Sequence, residues 1–377
     1  MKILINCLSA VNGGGIAYLS NMLPLLIEHF AASEHDCCML MMKHQAEWLN
    51  TPTEHIIWLD DSHRSALRRL LWERRHLARV AKQNNIDRIF TPYQIHTHIS
   101  STMNIIMLRN MEPYTFHNYH YSLKNKLRNI LLKQMTSASI NKADRVIAVS
   151  DHVHTHSETL LGKSDKVTRI YHGRDDAFSP EQSSEDLQIL TNLGIDYPFI
   201  FTCGSLLPYR NCEIIIQAYA QNIEQQLIAD DIRLVIAGKS DDKAYSKMLA
   251  ELISQTGLKK QIIMLGQVDK TCMQALYRHA RLFVTASETE ACPNIAIEAM
   301  ASGCRIVASD SMPMPEIFQQ AACYFKQGDS LSLAQVMTQN VSHKTPTCKP
   351  LALQRAADFS WPLCAQQTFE LLVSTTS

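Results

Sequence analysis

The 377-residue chain contains no apolar run approaching the ~20 residues that a membrane-spanning helix needs. It lacks net charge, with 36 basic and 36 acidic residues, and only 19% of its residues are charged. Glycine (12) and proline (13) are too few for a collagen or a low-complexity chain. CxxC and HExxH are missing, and no DxD-like pair stands at a strand end, so no metal site declares itself. The GxGxxG dinucleotide fingerprint and the GK[ST] of a phosphate-binding loop are missing too. The N-terminus, MKILINCLSAVNGGG, reads as a strand entering a glycine loop and not as an export signal. Eleven cysteines, an odd number, fall mostly in apolar segments (Cys7, Cys38, Cys203, Cys323). With no export signal, this predicts a reduced, cytoplasmic protein and no disulfide framework.

What is present is 46% hydrophobic residues in a chain long enough for two cores. Strand signals are expected at Lys2–Leu8, Ile56–Leu59, Arg88–Phe90, Asn104–Leu108, Arg145–Val149 and Val167–Tyr171. A second series is expected at Phe199–Cys203, Arg233–Ala237, Gln261–Leu265, Leu282–Thr285 and Arg305–Ala308. Helical periodicity fills the intervals, as at Ile16–Phe30, Arg64–Gln83, Leu123–Ile140, Lys270–His279 and Asn294–Ala301. Near-continuous apolar strands alternating with helices predict α/β domains built on parallel sheets covered on both faces. The polar stretch between the two series predicts a linker over 176–197, joining a domain over 1–175 to one over 198–360. The expected arrangement is two doubly wound, Rossmann-like domains facing across a cleft, with ligands beyond the carboxyl ends of the strands. A last helical pattern, within 361–377, is expected to return to the first domain.

The halves differ in charge: residues 1–180 hold 21 basic and 16 acidic residues, and 181–377 hold 15 and 20. This asymmetry suggests different partners. Asn12-Gly13-Gly14-Gly15 follows the first strand, and its glycines allow backbone to approach a ligand at a helix start, with Gly14 and Gly15 assigned to the donor. The run Ser287–Gly303 follows the strand Leu282–Thr285. Pro293 suits a first helical turn and Gly303 a helix end, so Glu290 falls in a loop and Glu298 inside a helix among Ala, Ile and Met. A carboxylate there needs either a donor partner or the hydroxyls of a ligand.

The Glu-x7-Glu spacing, the EAMASG continuation, and Ser309-Asp310 followed by Met314-Pro315-Glu316-Ile317 resemble the donor-binding segment of retaining glycosyltransferases of family four, the GT-B glycosyl transferases group 1. Val146–Ser150, Leu234–Gly238 and Leu265-Gly266-Gln267-Val268 are similar to further family elements. The resemblance implies that Glu290 contacts the donor sugar and Glu298 the ribose hydroxyls, with Gly266 and Val268 near the base. Backbone amides at Cys292–Asn294, at the helix start, would hold donor phosphate, and Ile295 is a further donor-binding candidate. The loop Cys203–Asn211 departs from the family's Arg-x4-Lys: Ser205 stands for the Arg and Arg210 for the Lys. Arg210 would meet charge growing on the leaving diphosphate. Ala291-Cys292-Pro293 replaces the commoner Gly-Phe-Gly, and Pro293 removes one amide. Arg109-Asn110 replaces a His-Asp pair near the acceptor, and His117 or His120 is the candidate to fill that place.

Two further features bear on partners. Arg64, Arg68, Arg69, Arg74, Arg75, Arg79 and Lys82 stud one helix opposed only by Glu73, and Lys124, Lys126, Arg128 and Lys133 stud another. An anionic membrane surface is the candidate partner, with attachment at the inner face of the plasma membrane, and a solvated face is the alternative. Nucleic acid is not expected, since no recognised binding module accompanies the charge. The expected activity is a retaining, metal-independent, cofactor-free hexosyl transfer from a nucleotide diphosphate sugar to a glycan or lipid-linked acceptor in cell-surface polysaccharide synthesis. A non-catalytic nucleotide-sugar-binding partner, or another GT-B activity such as an epimerase or phosphorylase, remains open.

Overall fold

Side chains on both faces of Ile3, Leu4 and Ile5 are fully buried, which a strand covered by helices on both sides requires. In the computed structural model, residues 1–11, 13–48, 55–162, 164–240, 242–341 and 349–374 are described. The first series of strands is β1 (Lys2–Asn6), β2 (Asp36–Met42), β3 (Ile56–Leu59), β4 (Arg88–Thr91), β5 (Met103–Leu108), β6 (Arg145–Ala148) and β7 (Val167–Arg169). They form one sheet in the order β3-β2-β1-β4-β5-β6-β7, with every pairing parallel. The second series is β8 (Phe199–Cys203), β9 (Arg233–Ala237), β10 (Ile262–Gly266), β11 (Leu282–Thr285), β12 (Ile306–Ser309) and β13 (Cys323–Phe325). It forms a second parallel sheet in the order β10-β9-β8-β11-β12-β13.

Two strands have no counterpart among the sequence expectations. β2 reads Asp-Cys-Cys-Met-Leu-Met-Met, without one β-branched residue, so propensity does not mark it. It forms because its pairing with β1 buries all six residues after Asp36. β13 is only three residues long and is held by β12.

Contacts divide the chain into two compact units, 1–110 with 130–173 and 360–377, and 111–129 with 174–359. In the first, the terminal helix Trp361–Val373 packs on the helix Gly13–Ala31. Phe369 stacks on His29 and meets Phe30 edge-on, and Arg88 Nη1 donates to the Leu372 carbonyl at 2.7 Å. Ser65 caps the helix Ala66–Gln83 by accepting from Arg68 N, so the helix starts two residues after the expected Arg64. Glu73 opposes the charge of that helix only at Arg69. It is turned inward and buried, accepting from Asn6 Nδ2 at 2.9 Å and Thr97 Oγ1 at 3.2 Å.

In the second unit, the expected linker contains a helix, Asp186–Asn192. Its fully buried Asp186 accepts from Arg278 Nε at 2.7 Å and lies 3.2 Å from His279 Nε2. These contacts tie the segment to the helix Lys270–His279. Gly204 and Gly238 stand back to back just after β8 and β9, with φ of +118° and +151°. A Cβ on Gly238 would lie 1.8 Å from the Gly204 carbonyl oxygen, so the strand ends approach this closely only without a side chain there. This accounts physically for the glycine that ends Leu234–Gly238.

Candidate functional site

The carboxyl ends of β8, β10 and β11 carry the predicted donor residues. β8 ends at Cys203, and the chain turns through Gly204 and a short 3-10 turn, Pro208–Arg210. Asn211 then adopts the left-handed conformation (φ +48°), and its side chain donates to the Ala286 carbonyl at 3.3 Å. This locks the turn to the loop after β11. Arg210 folds back so closely that a Cβ on Gly204 would meet its Nη1 at 2.7 Å. Its guanidinium lies 3.0 Å from the Glu290 carboxylate, with side-chain exposures of 16% and 10%. The contact is close but not aligned as a hydrogen bond: Nε and Nη1 of Arg210 and Oε1 of Glu290 have no hydrogen-bond partner. Attraction between charges, not directional bonding, holds the pair.

Burial opposes charge on Arg210, but Glu290 and Tyr209 outweigh it and hold the guanidinium protonated well above its ordinary range. Burial pushes the Glu290 carboxyl upward, opposed by Arg210 and by a hydrogen bond from Ser287. The pair thus combines a permanent cation with a carboxyl group whose solvation has been removed. Two buried groups with unused polar atoms are suited to bind a polar ligand at this edge.

Glu298 lies in the helix Asn294–Ala301. Its Oε2 accepts from Tyr277 Oη at 3.2 Å, and the same hydroxyl reaches the Ile295 carbonyl (3.3 Å) and Cys203 Sγ (3.0 Å). Burial pushes the Glu298 carboxyl up to about 7, with Tyr277 opposing the shift, Asp175 adding to it and Lys270 opposing it. Lys270 itself pairs with Asp175 at 2.6 Å.

The remaining donor candidates are placed as follows. Ser205 is exposed at the head of the β8 loop, and Cys292 is buried. Asn294 and Ile295 open the helix after Pro293, which stands at its N-cap. Gly266 ends β10 with φ +70° and its carbonyl accepts from Gly238 N at 2.7 Å, while Val268 is half-buried just beyond. Gly14 and Gly15 belong to the first unit, where a Cβ on Gly14 would lie 3.1 Å from Arg109 Nη2. Arg109 also lies over the Tyr18 ring, 5.5 Å from its centroid, and the Asn110 carbonyl accepts from Gln94 at 3.4 Å. Asn12 lies outside the described residues.

Arg109 and Asn110 fall in the first unit, and His117 and His120 in the second. Both histidines are exposed. His120 lines a cavity of about 720 Å³ whose other walls include Glu213, Tyr245 and Glu288. Among the described residues, no group of three or more His, Cys, Asp or Glu could hold a metal ion. No helix among them is long and apolar enough to cross a membrane.

Sequence reasoning missed Tyr277, the hydroxyl that orients Glu298, and Ser287, which supports Glu290. In sequence Tyr277 is one more buried position on an amphipathic helix. It also missed a hydroxyl cluster: Tyr119 Oη lies 2.9 Å from Thr289 Oγ1 and 3.2 Å from Glu288, and Thr115 lies 2.9 Å from Thr289. Only the fold brings these segments together.

Sequence models of two families match consecutive parts of the chain: Glycosyltransferase Family 4 over residues 22–178, and Glycosyl transferases group 1 over 188–349. An uncharacterized glycosyltransferase, MJ1607, of Methanocaldococcus jannaschii is 30% identical over 207 residues, 52% of this chain and about half (51%) of its own length. The O-antigen chain mannosyltransferase B of Escherichia coli is 24% identical over 273 residues, 67% of this chain and 68% of its own. Among solved structures, Anabaena Alr3699/HepE in complex with UDP-glucose superposes with a TM-score of 0.78 at 20% identity, over the full length of both chains. WaaG, a glycosyltransferase involved in lipopolysaccharide biosynthesis, superposes with a TM-score of 0.72 at 10% identity, again over both full lengths.

Proposed function

Because this chain is a GT-B glycosyltransferase of the family-four type, we propose that it moves a hexose from a nucleotide diphosphate donor to a glycan or lipid-linked acceptor, with anomeric configuration retained. The observation that carries this reading is the Arg210–Glu290 pair, 3.0 Å apart and mostly buried at the carboxyl edge of the second sheet. Arg210 stabilises the charge that grows on the diphosphate as the sugar–phosphate bond breaks. Glu290 faces the sugar. Glu298 accepts the ribose hydroxyls with its orientation fixed by Tyr277. As the C1–phosphate bond breaks, the acceptor oxygen bonds to C1 on the same face and its proton passes to the departing phosphate. The donor falls to residues 198–360 and the acceptor to 1–175. A neighbour of the same fold that binds UDP-glucose and mannosyltransferase relatives support a nucleotide-sugar donor and a place in surface polysaccharide synthesis.

The test is turnover of a panel of nucleotide sugars by the purified protein in excess chelator, with the product's anomeric proton read by NMR. A retained product formed in EDTA is expected, because Arg210 supplies the cation. Loss of all turnover in EDTA with recovery on adding manganese defeats the metal-independent part, and an inverted product defeats the mechanism. Binding without turnover of any donor would favour a non-catalytic nucleotide-sugar-binding partner.

An anionic membrane surface is the second partner we propose. Leu123, Leu127 and Leu131 are 86%, 69% and 55% exposed on one helix that also carries Lys124, Lys126, Arg128 and Lys133. With Glu73 buried and facing only Arg69, the helix Ala66–Gln83 presents Arg68, Arg74, Arg75, Arg79 and Lys82 at its exposed surface. Each basic residue near such a surface adds about 1 kcal/mol. The protein is expected to co-float with anionic liposomes at low salt and to lose this with Arg68, Arg69, Arg74 and Arg75 replaced by Gln. Wild type that stays behind would make the patch a solvated face.

A further inference from the structure

The first unit carries a cluster of basic residues of its own. A depression of about 270 Å³ opens between the helices Ala66–Gln83 and Leu123–Lys142. Arg74 enters from the first helix, Ser139 and Lys142 from the second, and His96, Thr97 and His98 from the chain that leaves β4. No carboxylate lines it. His98 meets the His96 ring edge-on, with centroids 6.1 Å apart.

The acidic groups nearby are engaged elsewhere. Glu73 is buried, with hydrogen bonds from Asn6 and Thr97, and Asp144 accepts from the Asn104 backbone at 2.6 Å. The polar inventory of the depression is incomplete on one side only. Both ring nitrogens of His96 are buried without a hydrogen-bond partner. The Ser139 hydroxyl accepts from His96 N at 3.2 Å, which leaves its own proton to donate. Around the His96 ring stand groups that can donate: the exposed Arg74 guanidinium, the Lys142 ammonium, the His98 ring and the Ser139 hydroxyl, while the neutral His96 ring offers one N–H. Burial above all, with His98 and Lys142 adding and Asp144 opposing, pushes the His96 imidazole down to about 4, so this ring is neutral at physiological pH.

We infer that this depression binds a phosphate group through Arg74, His96, His98, Ser139 and Lys142. The guanidinium fork suits two oxygens of a tetrahedral anion, and the ammonium acts as a point charge on a third. Phosphate has more acceptor positions than a carboxylate and so can satisfy donors that converge from three separate segments. The depression lies between the two basic helices, so the phosphate comes either from a lipid headgroup or from a free phosphorylated solute. The inference rests on the first unit alone and stands or falls independently of Arg210 and Glu290.

The experiment follows the imidazole NMR signals of His96 and His98 in the full-length protein during titration with inorganic phosphate, and separately with monomeric dihexanoyl phosphatidic acid. Saturable shifts at millimolar concentrations are expected. Arg74→Gln with Lys142→Gln should weaken binding at least tenfold, and Arg210→Ala should leave it unchanged. Both replaced side chains are exposed, so the fold should be kept. Tighter binding of the lipid analogue would assign the site to a headgroup, and equal binding to a free phosphate. Signals that move with neither probe, or move equally in the double variant, overturn the inference.

Discussion

Arg210→Ala is expected to lower the turnover number by about 100–1000-fold while changing donor affinity much less. The magnitude is that of removing one preorganised group that meets developing charge, ~2.7–4 kcal/mol. The asymmetry arises because diphosphate charge grows as the sugar leaves, so the interaction is stronger in the transition state than in the ground state. Arg210 is already positioned for this. It is seated against Gly204, whose lack of a side chain admits the guanidinium, and is held by Glu290. Arg210→Lys should recover part of the loss, as a point charge without the fork.

The substitution to Ala also leaves Glu290 buried without its cation, which is destabilising in itself. Arg210→Ala combined with Glu290→Gln separates the two effects. The double variant should regain thermal stability over Arg210→Ala and remain slow. If Arg210→Ala turns over within threefold of wild type, the leaving charge is met elsewhere.

The second large effect is expected at Glu298. Glu298→Gln should weaken donor and free nucleoside diphosphate together, by about 10–150-fold at pH 8, since losing a hydrogen bond to a charged group costs ~1.5–3 kcal/mol. Wild-type affinity should itself depend on pH. Burial pushes this carboxyl up to about 7, and the ionised form is the one that accepts two hydroxyls. Affinity should therefore fall roughly tenfold per pH unit below 7, and the Gln variant should lose that slope.

Stability should move in the opposite sense. A carboxyl raised above its unfolded value of 4.5 contributes stability that is fully present below 4.5 and is lost as pH rises through about 7. The Gln variant should thus gain on wild type in thermal unfolding at pH 8 while binding donor more weakly. Calorimetry and thermal unfolding of both proteins at pH 6 and 8 decide this. An unchanged diphosphate affinity removes Glu298 from the nucleotide site.

The sequence by itself determined the alternation of strands and helices. It did so because short apolar runs, separated by amphipathic stretches, have few other ways to bury their surface. It placed Glu290 before a helix and Glu298 within it, because Pro293 and Gly303 act on adjacent backbone whatever the rest of the chain does. It also singled out Arg210 after a β8 strand whose boundaries, Phe199–Cys203, match those expected. Tertiary structure alone decided the rest. β2 has no β-branched residue and exists because β1 and β3 pair with it on either side. Glu73 reads as surface charge in a basic helix but turns inward to Asn6 and Thr97, partners 67 and 24 residues away. Arg210 meets Glu290 across eighty residues, and Tyr277 reaches Glu298 from another helix. Local propensity and periodicity act over a few residues. Pairing between distant side chains depends on which strands become neighbours, and only the order β10-β9-β8-β11-β12-β13, set by burial of the whole sheet, puts the loops after β8 and β11 side by side.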